Sequence, residues 1–285
     1  MKDTALVLAG GGAKGAYQAE VARRVMNEKN VTVITGVSAG ALNGSMLAQD
    51  KAYRLSRIWE NARKRDVWKG GHNPIRYFKM LMGWSLGLYN AEPLHGILKK
   101  NFNPNNVKIP FKAGAVSLET GEYVPYEVRP EKEYSIQKSR RFIVASSAVP
   151  VGVEPVEVNG EKMIDGGTRN IAPVGDAIDE DPDEIIAIFN TRRDNKFKKQ
   201  EDTPSHVFGI GEWALEILLN ETVRSDIRIA KAINSFQKFE TSKYDHIPID
   251  VIEPSKPIGK ATDFSRDAWQ NRVQVARKDA EEYLT

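Results

Sequence analysis

Two apolar runs early in the chain each end in glycine and pass into a small-residue helical pattern, and this repetition constrains the fold more than any other feature. Residues 4–9 (TALVLA) form a continuous apolar run with the length of a strand buried on both faces. Gly10, Gly11 and Gly12 follow, then Gly15, and Ala16, Ala19, Ala22 and Met26 recur at helical spacing. Residues 31–35 (VTVIT) read as a second buried strand ending at Gly36, and a helix starts near Ala39 and runs towards Gln49. Strand, helix, strand, helix predicts a right-handed βαβ unit, and so an α/β fold with a mostly parallel central sheet flanked by helices.

The remainder continues in the same style. Pro93 opens a helix carrying Leu94, Ile97 and Leu98. Residues 111–128 read as a hairpin turning at Glu119 to Glu122, residues 136–148 as a helix before Pro150, and Asn159-Gly160 as a hairpin turn between VEV and EKMI. Strands are expected at 184–189 and 247–252, and helices at about 205–220, at 222–240 and from Asp267 to Leu284. No repeat, low-complexity tract or Ser/Gly linker divides the chain, so a single domain over 1–285 is expected.

Composition removes several classes. Apolar residues make up 41% and charged residues 28%, which excludes a wholly disordered or collagen-like chain. No apolar run reaches about 18 residues, so no transmembrane helix is expected. The start, MKDTALVLAGGGAKG, lacks the apolar stretch of a secretory signal. The absence of cysteine excludes disulfides, thiolate metal sites and cysteine nucleophiles. The expected location is cytoplasmic, peripheral to a membrane at most. With 41 bases against 38 acids, the net charge of +3 gives no argument for a nucleic-acid partner.

Three motifs bear on chemistry. Gly36-Val37-Ser38-Ala39-Gly40 lies between a predicted strand and a predicted helix, the context of a nucleophile elbow. Such a turn is tight, so Gly36 and Gly40 keep its flanks small and Ser38 stands clear beside a helix N-terminus. The competing reading is a plain turn. Gly10-Gly11-Gly12-Ala13-Lys14-Gly15 can direct several backbone N–H groups into one concavity, a nest for an anion or a transient oxyanion, with Lys14 adding positive charge. The same letters fit a dinucleotide fingerprint, but the second strand ends Thr35-Gly36-Val37-Ser38 without the acid that would hold a ribose. A phosphate-binding P-loop needs Ser or Thr after Gly-Lys, and Lys14 precedes Gly15. A helix start that merely needs glycine stays open for Gly15. Asp165-Gly166-Gly167 closes the EKMI strand, where an Asp can project its carboxylate as the backbone turns away, although most such strings are ordinary turns.

Together and in this order, the motifs resemble the patatin-like phospholipase family. The resemblance rests on the glycine block at 10–15, on Gly36 to Gly40, on Ala145-Ser146-Ser147-Ala148-Val149-Pro150 and on Asp165 to Gly167. Val153-Glu154-Pro155-Val156 and Asn170-Ile171-Ala172-Pro173-Val174 add to it. It spans about residues 4–175, and the tail at 176–285 resembles bacterial members more loosely, in Ile252-Glu253-Pro254 and Asp263-Phe264-Ser265. It implies a three-layer architecture and a serine acyl hydrolase cleaving carboxylic ester bonds of phospholipids or lysophospholipids, with Ser38 as nucleophile and Asp165 as general base. The implied oxyanion site is built from Gly10, Gly11, Gly12, Lys14, Gly15 and Ala39, with the amides of Gly11, Gly12 and Ala39 as donors. No metal and no cofactor are implied. The four histidines, His72, His95, His206 and His246, sit in none of the motif blocks. Rival readings are an acyltransferase using the same pair, a nucleotide-binding module using the glycine loop, and a catalytically silent lipid-binding protein.

Access to lipid has its own candidates. Residues 51–69 read as a helix with seven bases, two acids and two tryptophans, Trp59 and Trp68. A basic aromatic helix can rest on an anionic membrane, but an ordinary solvated face is preferred here. Residues 74–89 carry Tyr77, Phe78, Met80, Leu81, Met82, Trp84 and Leu86 and are interrupted by Gly83 and Gly87, which reads as a mobile cap over an acyl site. The acidic run Asp179 to Glu184 and the lysines at 196, 198 and 199 read as solvated loops.

Overall fold

A computed structural model of the chain describes residues 1–67, 69–70, 74–82, 84–192 and 247–285, with isolated residues between 210 and 232. The expected α/β architecture is present. An eight-stranded sheet has the order β10-β9-β1-β2-β5-β8-β7, with β6 also paired to β5. Its parallel part joins β10 (Ile249–Ile252), β9 (Glu184–Ile188), β1 (Asp3–Leu8), β2 (Asn30–Val37) and β5 (Phe111–Ser117). Its antiparallel part adds β6 (Tyr123–Val128), β8 (Glu161–Asp165) and β7 (Val156–Val158).

Strand period explains the layering. Leu6 and Leu8 of β1 point into one core with Tyr17, Val21 and Val25 of α1 (Gly15–Glu28), Leu47 of α2 (Ala39–Leu47) and Val275 of the C-terminal helix (Arg266–Leu284). The alternating Ala5, Val7 and Ala9 point to the opposite face, against Val174 and Ala177 of α8 (Val174–Ile178). Both faces of the parallel strands are thus covered, which is why they read as unbroken apolar runs.

The pairing along β5 matters most for function. β6 occupies one edge over Phe111 to Val116. β2 and β8 therefore share the other, with Val37 opposite Gly114 and Asp165 opposite Ala115. One strand runs with β5 and the other against it, so their C-terminal ends meet head to head. The β7–β8 hairpin turns at Asn159 (φ 55°) and Gly160 (φ 86°), as a two-residue turn requires.

Some boundaries differ from the sequence reading. The helix expected over 51–69 is two helices, α3 (Ala52–Asn61) and α4 (Lys64–Val67). Ala62 turns extended between them (φ −61°, ψ 134°), and the Asp66 carboxylate accepts the Arg63 N–H at 2.9 Å to start the second. Over 74–89, α5 covers Pro74–Leu81, and Tyr89–Asn90 forms β4, paired with β3 (Lys69–Gly70). The helix α6 spans Glu92–Asn101, and α7 spans Ile136–Ala145, ending before the two serines. Trp68, Gly83, the lysines at 196, 198 and 199 and most of the helices expected at 205–220 and 222–240 lie outside the described residues.

Candidate active site

Ser38 occupies the single residue between β2 and α2 with φ 57° and ψ −123°. A non-glycine residue at such a φ is strained and persists only where its surroundings over-determine it. Here its N–H donates to Ser146 Oγ (3.0 Å) and its carbonyl accepts from Ser147 Oγ (3.2 Å) and from the Leu42 N–H (3.1 Å). Ser146 in turn donates to the Gly114 carbonyl, tying the elbow to β5. The flanking glycines are steric necessities. A Cβ on Gly36 would sit 2.5 Å from the Gly40 carbonyl oxygen, and one on Gly40 would sit 1.9 Å from that of Leu8.

Asp165 ends β8, where its side chain accepts the Gly167 N–H (2.8 Å) and lies beside the Ser38 hydroxyl. Its own N–H donates to the Ala148 carbonyl at 2.9 Å, so the 145–150 block braces both residues. Gly166 lies against β5, where a Cβ would come within 2.4 Å of the Gly114 carbonyl oxygen. The head-to-head meeting of β2 and β8 is what brings the two side chains together across 127 positions of sequence (165 − 38). Both are buried, Ser38 at 7% exposure and Asp165 at 4%. Burial pushes the Asp165 carboxyl up to about 7, against the opposing pull of the hydrogen bonds from Ser38 and Gly167. A carboxylate so placed is a far better proton acceptor near neutrality than one in water.

The glycine loop lies beside the pair, and a Cβ on Gly10 would be 3.3 Å from that of Ser38. Several of its amides are committed. The Gly10 N–H donates to the Ile171 carbonyl (2.9 Å), that of Ala13 to Ala261 (2.7 Å), that of Lys14 to Gly11 (3.1 Å) and that of Gly15 to Gly12. The amides of Gly11, Gly12 and Ala39 have no hydrogen-bond partner among the described residues. Of the six residues grouped from sequence around this loop, these three have N–H groups free to meet an anion. The Lys14 side chain is buried, with its ammonium 3.4 Å from Thr191 Oγ1. Gly15 is required by packing, since a Cβ there would lie 2.7 Å from the Trp59 ring and 2.9 Å from Ala39 Cβ.

His95 lies on α6, and the other three histidines are outside the described residues. Among the described residues no group of three or more His, Cys, Asp or Glu side chains is placed to hold a metal. The acidic run is used locally: Asp183 accepts the Asp3 N–H, and Glu184 pairs with Lys29 and Thr4.

An apolar surface adjoins the site. Pro150 is followed by Val151, 60% exposed and at φ 66°, whose carbonyl accepts the Leu88 N–H at 3.1 Å. Two residues before Leu88, Leu86 is exposed, as are Trp84, Phe78 and Ile75, and the Phe78 and Trp84 rings meet edge to face at 6.0 Å. Trp59 behaves differently. It is partly buried, and its indole N–H donates to Asn43 at 2.8 Å, so α3 packs through its aromatic face. Gly87 is likewise a packing position, where a Cβ would be 2.6 Å from the Glu154 nitrogen.

Several polar residues that hold this geometry carry little or no local sequence signal. The roles of Ser146 and Ser147 were detectable only as part of the A-S-x-A-x-P block. Gln18, whose amide donates to the carbonyls of Ala9 (2.9 Å) and Ile188 (3.0 Å), carries no motif, and neither do Asn190 and Arg272.

The chain matches the patatin-like phospholipase family over residues 6–178. None of the curated proteins compared matches it. Among solved structures it is similar to VipD from Legionella pneumophila, with a TM-score of 0.41 and 15% identity over 97% of this chain and 67% of that one. It is also similar to the type III effector protein ExoU, with a TM-score of 0.44 and 12% identity over 100% of this chain and 53% of that one, so it spans about half of ExoU.

Proposed function

The chain belongs to the patatin-like phospholipase family, and on that premise we propose that it hydrolyses carboxylic ester bonds of phospholipids or lysophospholipids through Ser38 and Asp165. The observation that carries the reading is the head-to-head pairing on β5 that sets Ser38, strained at φ 57° just past the end of β2, beside the buried Asp165 carboxyl at the end of β8. Asp165 takes the hydroxyl proton as Ser38 Oγ attacks the ester carbonyl carbon. The carbonyl oxygen becomes an oxyanion and accepts hydrogen bonds from the Gly11, Gly12 and Ala39 amides, at the positive end of α2. Collapse of the adduct expels the alcohol, which takes the proton from Asp165 and leaves an acyl-Ser38 ester. A water molecule then gives its proton to Asp165 and attacks the acyl carbon. Release of the fatty acid returns that proton to Ser38. The cycle needs no external cofactor.

The same reading has lipid delivered at an interface. Its support is the run of exposed apolar side chains from Ile75 to Leu86 and at Val151, next to the block that braces Ser38. The nine bases against two acids between Lys51 and Met82 favour an anionic bilayer. The deciding test is labelling by a fluorophosphonate together with fatty-acid release from mixed phospholipids. Wild type should do both and Ser38→Ala neither; retention of either by the variant would remove the assignment.

A further inference from the structure

A trans peptide group points its C=O and N–H in opposite directions, so holding one end aims the other. In the glycine loop every peptide is held at one end at least. The Gly10 carbonyl accepts from Asn190 Nδ2 at 3.2 Å, which turns the N–H of Gly11 to the opposite side. The Gly11 carbonyl accepts the Lys14 N–H at 3.1 Å, which does the same for Gly12. The next peptide is held from outside, by the Ala13 N–H on the Ala261 carbonyl at 2.7 Å. That contact also fixes Gly12 at φ 55°, where a Cβ would come within 2.6 Å of the Ala261 oxygen.

Both clamps come from residues beyond the family-matched span of 6–178. Asn190 is 2% exposed just past β9, and its amide also donates to the Ala9 carbonyl at 3.0 Å. Its Oδ1 is buried without a hydrogen-bond partner among the described residues. Such an unpaired acceptor costs stability, so the side chain is not accounted for by folding alone. Ala261 belongs to the loop between β10 and the C-terminal helix. Arg272, 1% exposed on that helix, straps this loop by donating to the carbonyls of Ile258 (3.0 Å), Lys260 (2.8 Å) and Asp263 (2.7 Å). Those three acceptors bracket Ala261 in sequence.

We propose that Asn190 and Arg272 are positioning residues for the oxyanion loop: Asn190 sets the Gly10–Gly11 peptide directly, and Arg272 sets the Gly12–Ala13 peptide through Ala261. The C-terminal third of the chain thereby aims the Gly11 amide directly, and bears on that of Gly12 through the φ at which Ala261 holds Gly12. This rests on the hydrolase reading above. Without Asn190 the Gly10–Gly11 peptide is free to rotate and withdraw its N–H from the forming oxyanion.

The test uses the full chain and the variants Asn190→Asp, which keeps shape but loses the donor, Asn190→Ala, and Arg272→Met. Three quantities are measured: kcat and KM on a soluble aryl ester, affinity for an alkyl trifluoromethyl ketone that forms a tetrahedral adduct, and affinity for the corresponding unreactive alcohol. The expected result is a kcat about 10- to 100-fold lower with KM within about twofold. Ketone affinity falls by the same factor and alcohol affinity is unchanged. Equal losses for ketone and alcohol, or normal kcat in a folded Asn190→Asp, overturn the proposal. If Arg272→Met does not fold, the Asn190 variants decide it. A wild type inert towards both ester and ketone would instead remove the hydrolase reading, and the proposal with it.

Discussion

The glycine loop at 10–15 lies beside Ser38, the segment at 74–90 joins the chain just past the block that braces it, and the two are built on opposite principles. In the loop, side chains are absent where a Cβ would collide, and the peptides are tied by hydrogen bonds, those at Gly10, Gly11 and Ala13 to partners far off in sequence. Positional error there is suppressed. In the other segment, Ile75, Phe78, Met82, Trp84 and Leu86 are large, apolar and exposed, at a considerable cost in hydration. On the proposed function, the contrast separates two tasks. Stabilising a transient charge needs atoms fixed to fractions of an ångström, whereas meeting a lipid surface needs area and tolerates disorder in its contacts.

Breaking the comparison at its chemical end should have the largest effects. Ser38→Ala should lower kcat/KM on any ester by about 10⁵-fold or more, read in a soluble-ester assay, with the melting temperature kept. Asp165→Asn should cost about 10⁴-fold through loss of the base, also on a soluble ester. Gly11→Ala should cost about 10²-fold, because its Cβ would collide with Asn190 (2.5 Å) and displace a donor. At the other end, Phe78→Ser combined with Trp84→Ser should lower turnover on anionic vesicles about tenfold while leaving a soluble ester unaffected. Equal losses on both substrates would erase the distinction drawn here.

The smallest effect is on stability, and it sharpens the contrast from within the site. The Asp165 pKa is raised from 3.8 to about 7 by burial, so the folded protein retains a proton that the unfolded chain releases. Its contribution to stability is fully present below pH 3.8 and is lost as pH rises through about 7. Asp165→Asn should therefore melt higher than wild type at pH 8, with the gap closing as pH falls towards 4. The activity of wild type should rise over the same window, with its midpoint near pH 7, since only the ionised carboxylate accepts the Ser38 proton.

Much of this arrangement is local enough to be legible in the sequence. The apolar runs of β1 and β2 announce strands covered on both faces, and the Gly36 and Gly40 flanks of Ser38 announce a turn with no room for side chains. The meeting of Ser38 with Asp165 is another matter. It depends on two strands sharing one edge of β5, and no local pattern encodes which edge a strand will join. The break at Ala62 was hidden because the helical periodicity of 51–69 continues through it, while a single carboxylate, Asp66, restarts the chain. Asn190 and Arg272 look like any other polar residues. Their partners are backbone carbonyls, which leave no imprint in side-chain patterns.

The head-to-head junction along β5 has a consequence for biosynthesis. A chain emerging from the ribosome can complete its first βαβ unit and expose Ser38 long before the strand that carries Asp165 exists, and the strap at Arg272 arrives later still. On the proposed function, the hydrolase therefore stays inert until both of these later segments have been made and have folded against the first.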